Sequence, residues 1–154
     1  MPLAEFNFGT LKYPWDDPRI ADFQDNLDRV NGLGQRSAGF IWMLDEDDME
    51  AEQEDGAGPL ADRPNTASTL SVWEDAASLW HFVEKTLHSK FKARSHEWFE
   101  PDDSGHLVVW RVADGHRPTV AEGMAQWHKL QADGPDADRF DGATLRRMAQ
   151  QQSA

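Results

Sequence analysis

Two apolar runs constrain this chain more than any other feature. FIWML at 40–44 and HLVVWRV at 106–112 offer no continuous polar face. Strands of that kind need cover on both sides. The segments around them alternate between two hydrophobic periods. In LAEFNFGTL (3–11), Ala4, Phe6 and Phe8 point one way and Leu3, Glu5, Asn7 and Gly9 the other, which predicts a strand. Asp16 or Asp17 as N-cap, with Pro18 in the first turn, opens a helix whose buried stripe is Ile20, Phe23, Leu27 and Val30. Gly32 and Gly34 are expected to end it.

STLSVW (68–73) reads as the third strand, with Leu70 and Val72 on one face and Thr69, Ser71 and Trp73 on the other. Asp75 can cap a second helix over about 76–98, and HLVVWRV supplies the fourth strand. Thr119, with Glu122 three residues on, has capping-box spacing for a short last helix. The order is β-α-β-β-α-β, an α+β, ferredoxin-like plan with an antiparallel sheet and a short C-terminal helix. Two helices cover one sheet face. The doubly apolar strands then predict that the other face meets its equivalent in a second copy, giving a homodimer.

One domain is expected over residues 1–135, with an acidic surface loop at 45–67 and a loosely ordered tail at 136–154. The net charge of −13 is uneven: residues 45–62 hold nine acidic residues and no lysine or arginine, leaving the rest at −4. A run so charged is expected to stay solvated. Deleting about 47–60 would then change stability by no more than roughly 1 kcal/mol. The acidity argues against nucleic acid as a partner. With no cysteine, disulfides and thiolate chemistry are excluded. MPLAEFNFGTLKYP lacks the basic and apolar regions of a signal peptide, and no apolar run approaches the ~20 residues of a membrane span. A cytoplasmic protein without membrane contact is the expectation.

Candidate functional residues gather on three elements. Asn7 is the amide of an otherwise largely apolar strand, placed to hold a substrate or oxyanion, or else to bond within the sheet. Ser71 and Trp73 share one face of the third strand. On the second helix, Trp80, Glu84, His88, Phe91 and Ser95 fall along one stripe. His88 lies at its edge, as a base oriented by Glu84 or as a surface histidine paired with it. His81 and His96 lie further toward the polar side. Hydrolase triads, HExxH spacing, and Walker or dinucleotide glycine patterns are absent.

The stretches LAEFNFGTLKYPWDDPR, FQDNLDRVNGLGQRSAGFIW, LSVWED, SHEWFEP and GHRPTVAEG resemble a bacterial family known as DUF3291, a domain of unknown function. The resemblance runs over most of residues 3–135, with the acidic insert and the tail outside it. That family is similar to the dimeric α+β barrel superfamily, which includes antibiotic-biosynthesis monooxygenases. The resemblance implies a cavity between sheet and helices and a small monooxygenase-like enzyme acting on an apolar or aromatic metabolite. Asn7 and His88 would be catalytic, and Ser71, Trp73, Trp80 and Phe91 would line the substrate. The implied cofactor is none or haem, with His88 or His96 as the axial ligand. A cofactor-free isomerase or cyclase, or a non-catalytic ligand-binding or stress-response module, would use the same cavity.

Overall fold

The protein, as a computed structural model, is described for residues 1–63, 65–87, 95–100 and 106–152, without the side chains of 85–87 and 95. Its elements are β1 (Leu3–Thr10), a 3-10 turn (Pro18–Ile20), α1 (Ala21–Gln35), β2 (Phe40–Met43), α2 (Glu46–Glu54), β3 (Thr66–Trp73), α3 (Ala76–Leu87), α4 (Ser95–Trp98), β4 (His106–Arg111), α5 (Val120–Asp133), β5 (Arg139–Phe140) and α6 (Gly142–Gln152). The sheet runs β2-β3-β1-β4-β5, and every neighbouring pair is antiparallel. Without β5 this is the ferredoxin-like order the hydrophobic periods predict.

The period-2 pattern of β1 sorts the core. Ala4, Phe6 and Phe8 join Leu70, Val72, Val108 and Trp110 on one face, beneath Val120, Met124 and Leu130 of α5. Gly123 lets α5 settle there, since a Cβ at that position would lie 2.8 Å from Phe6 Cγ. On the other face Leu3, Trp73, Val109 and Phe140 pack under Leu79 and Phe82 of α3 and Leu145 of α6. A third cluster, built on Leu11, Ile20, Phe23, Trp98 and Phe99, closes one end.

Both sheet faces are therefore covered from within one chain. The bare face from which a homodimer was expected is occupied by α5, which removes that ground for the dimer. β2 departs from expectation too: it is an edge strand, and Ile41 is 45% exposed.

Three further expectations are corrected. α1 does not stop at Gly32 or Gly34 but runs to Gln35. Gly34 is needed for close approach there, because a Cβ would lie 2.8 Å from Phe82. Residues 46–54 form a helix rather than a loop. Asp45 caps it by accepting from Asp48 N at 2.8 Å, and Glu46, Asp47 and Asp48 complement the positive end of the helix dipole. Met49 and, beyond the helix, Leu60 enter the core at 6% and 1% exposure. The tail is likewise structured. Phe140 pairs with Val109, Asp141 accepts from Thr144 N at 2.9 Å, and α6 buries Leu145 and Ala149.

Candidate functional site

β2 has four residues and β3 has eight. Pairing on that side runs from Phe40↔Trp73 to Met43↔Ser71, and Leu44 N still reaches Leu70 O. The chain then turns away into α2, leaving the first half of β3 without a strand neighbour on that side, while β1 pairs its other edge throughout. A cavity of about 320 Å³ fills the gap, bounded by α1, α2 and β3. Its apolar wall is Trp15, Leu27, Met43, Leu44 and Met49. Its polar groups are the amides of Gln24, Asn31 and Gln53, the hydroxyls of Ser68 and Thr69, and the carboxyls of Asp28, Glu46 and Glu50. No lysine, arginine or histidine among the described residues lines it.

Behind Thr69 lies a buried polar ladder. β1 and β3 pair so that Glu5 stands opposite Ser71 and Asn7 opposite Thr69, with all four side chains on one face. Ser71 Oγ donates to Glu5 Oε1 at 2.6 Å, and Thr69 Oγ1 donates to the same oxygen at 3.1 Å. The Asn7 amide lies 3.1 Å from Glu5 Oε2 and 2.7 Å from Thr69 Oγ1, and the Trp73 indole N–H donates to Ser71 Oγ at 2.9 Å. Glu5 is wholly buried. Desolvation pushes its carboxyl up to about 7, outweighing the opposing hydrogen bonds from Ser71, Thr69 and Asn7. Thr69 is shared: it lines the cavity and it touches the carboxyl.

The candidates read from the sequence separate here. Asn7, Ser71 and Trp73 come together in the ladder. Trp73 is fully buried, stacked on Phe82 at 5.0 Å, and lies away from the cavity wall. Trp80 is half-buried against the α3 and α6 cluster, also away from the cavity. His96 is exposed, and its backbone carbonyl accepts from Lys12 Nζ at 2.6 Å. His88 and Phe91 lie outside the described residues. As a haem pocket this cavity does not fit. No described histidine faces it, and its rim carboxylates would repel the propionates of the macrocycle.

Sequence reasoning missed Glu5 as the centre of the ladder. The available signal was its parity: it shares a strand face with Asn7, and strand-face carboxylates inside a core need partners. It also missed the carboxyls of α1 and α2. Glu46 is pushed up by a hydrogen bond with Asp28 first, then by burial and by the Asp28 charge.

The model of a family described as "Domain of unknown function (DUF3291)" matches residues 2–154, so the acidic segment and the tail lie within the match. No curated protein matches the chain. Among solved structures, the chain is similar to SnoaB, a cofactor-independent oxygenase from Streptomyces nogalater, at 14% identity and a TM-score of 0.40. That likeness covers 73% of this chain and 94% of the other. At that level the chemistry has to be read from this chain's own residues. No described helix is long and apolar enough to cross a membrane.

Proposed function

For a chain that belongs to the DUF3291 family, we propose a small-molecule enzyme whose substrate, with an apolar or aromatic body, sits in the cavity beside β3 and exchanges a proton with Glu5. The single observation that carries this reading is the buried Glu5 carboxyl joined to the cavity by Thr69 Oγ1. A base is most effective when its pKa lies near the working pH, and burial brings Glu5 to about 7. A substrate proton taken by the Thr69 hydroxyl is matched by the proton that hydroxyl passes to Glu5 Oε1. Asn7 donates to Thr69 and to Glu5, and so orients both.

The step fits a monooxygenase-like reaction without a cofactor. An enolisable or phenolic substrate loses a proton to the relay, and its carbanion adds O₂ and a proton to give a C–OOH at a carbon that still bears hydrogen. Loss of water then leaves C=O, so one oxygen stays in the product, the other leaves as water and the substrate supplies both electrons. An isomerase or cyclase would begin with the same proton transfer and end without oxygen.

The test is oxygen uptake by the purified chain over a panel of phenols and enolisable ketones, together with exchange of substrate C–H for deuterium. Uptake or exchange lost in Glu5→Gln and in Thr69→Val, with each variant still folded, supports the proposal. Exchange without oxygen uptake assigns the isomerase form. Saturable binding with neither activity would make the cavity a holding site and refute the catalytic reading.

A further inference from the structure

The rim of the cavity has an excess of acceptors. Asp28 on α1 and Glu46 on α2 both line it, Asp28 being the first cause that pushes the Glu46 carboxyl up, and Glu50 follows one helical turn later. Two carboxyls in contact need a proton or a cation between them. Asp45, Asp47 and Asp48 surround this end of α2, and the Asp45 charge leads the causes that push Asp48 up. No described cationic side chain lines the cavity.

A second observation is independent of the acids. Asn31 is 8% exposed and lines the cavity, yet its Oδ1 has no hydrogen-bond partner among the described residues. The unpaired atom is the amide oxygen, an acceptor, so what it lacks is a donor. The indole N–H of Trp15, another lining residue, is also buried and unpartnered. A buried donor or acceptor left without a partner keeps its desolvation penalty uncompensated. The cavity therefore has acceptors awaiting a donor and, beside them, one donor awaiting an acceptor.

We infer that the cavity takes an organic ammonium compound: a primary amine on an apolar or aromatic body that also carries a hydroxyl or carbonyl oxygen. The inference rests on the reading above that this cavity is the ligand site, and adds the class of ligand. The ammonium supplies three N–H donors, enough for Asp28, Glu46 and Asn31 Oδ1 together. It replaces the proton shared by the two carboxyls. The ligand oxygen accepts from Trp15 Nε1, and its body lies on Leu27, Met43, Leu44 and Met49. A metal ion suits the site less well. No group of three or more histidine, cysteine or acidic side chains among the described residues could hold one.

Calorimetric titration of the full chain with phenylalaninol and with phenylpropanol tests this, since both carry a phenyl ring and a hydroxyl and only the first has an amine. The expected result is binding of phenylalaninol at least ~10-fold tighter at neutral pH. The Asp28→Asn, Glu46→Gln double variant should abolish that preference and leave phenylpropanol within ~2-fold. Glu50→Lys, which spares Asp28 and Glu46, should weaken phenylalaninol alone. Trp15→Phe should weaken both. Equal binding of the two probes, unaffected by the acidic substitutions, overturns the ammonium assignment and leaves the cavity a ligand site. Failure of both probes, with no shift of the Asn31 side-chain amide resonances, overturns the assignment and the cavity reading together. Saturable binding of Ca²⁺ lost in the double variant, without binding of phenylalaninol, would give the rim to a metal and overturn the inference.

Discussion

Ser71 Oγ lies 2.6 Å from Glu5 Oε1, across a β1–β3 pair in which the two residues stand directly opposite. A short donor at that place normally lowers a carboxyl, and here Thr69 and Asn7 add to it. Burial outweighs all three, and the native carboxyl rises from 4.5 to about 7. The native state thus holds the Glu5 proton more tightly than the unfolded chain does. Its contribution to stability is greatest below 4.5 and declines as pH rises through the window up to about 7. Above that window the ionised, buried carboxylate costs about 3 kcal/mol. Denaturant titrations across the window should show wild-type stability falling with pH relative to Glu5→Gln. Parallel curves for the two proteins would place Glu5 in a wetter setting.

The α2 segment is expected to behave as core. Met49→Ala and Leu60→Ala should each cost about 2–4 kcal/mol, because both side chains are buried in the cluster under α5. Replacing 47–60 by a Gly-Ser bridge removes both at once. It should lower the melting temperature sharply, in place of the near-neutral change that the charge pattern alone predicts. A change within about 1 kcal/mol would mean that the segment is dispensable packing.

Gly123→Ala sets two effects against each other. Alanine favours a helix interior over glycine by about 1 kcal/mol, yet the new methyl carbon would lie 2.8 Å from Phe6 Cγ. Overpacking of that kind costs about 1–3 kcal/mol, and Phe6 is wholly buried with little room to give. A net loss of stability is expected on thermal unfolding, and a gain would show that α5 lifts off β1 easily.

Truncation after Asp141 removes α6 and with it Leu145 and Ala149, two residues packed to 0% and 4% exposure. Phe140 and Leu79, from the same cluster, would then face water. The expected outcome is a loss of several kcal/mol and new binding of a hydrophobic dye. Unchanged melting would return the tail to the loosely held segment that its composition suggests.

Much of the fold was legible because strand parity is local. The alternation in LAEFNFGTL puts Phe6 and Phe8 on one face and Glu5 and Asn7 on the other, as found. What Glu5 does was not legible, because its partners Ser71 and Thr69 lie more than sixty residues away and only the register brings them together. From sequence α2 reads as a loop, because its charge count outweighs a start signal that is present, Asp45 followed by three acids in the first turn. α6 is not legible locally, because Leu145 and Ala149 are a thin stripe in a sequence of arginine, glutamine and alanine. The cavity depends on β2 ending early against β3, a mismatch in length that no local pattern states.

The position of β1 in the sheet also governs how the molecule is made. β1 is synthesised before every other element, yet it is the central strand, and its neighbours are residues 66–73 and 106–111. Until residues 66–73 and 106–111 have been made, an emerging strand with Phe6 and Phe8 waits for its partners. The α6 helix that finishes one face comes later still. A nascent chain halted before the last helix therefore carries an unsealed sheet, the species most prone to wrong pairing. The order in which the elements leave the ribosome thus sets when this sheet is exposed, whatever the stability of its finished form.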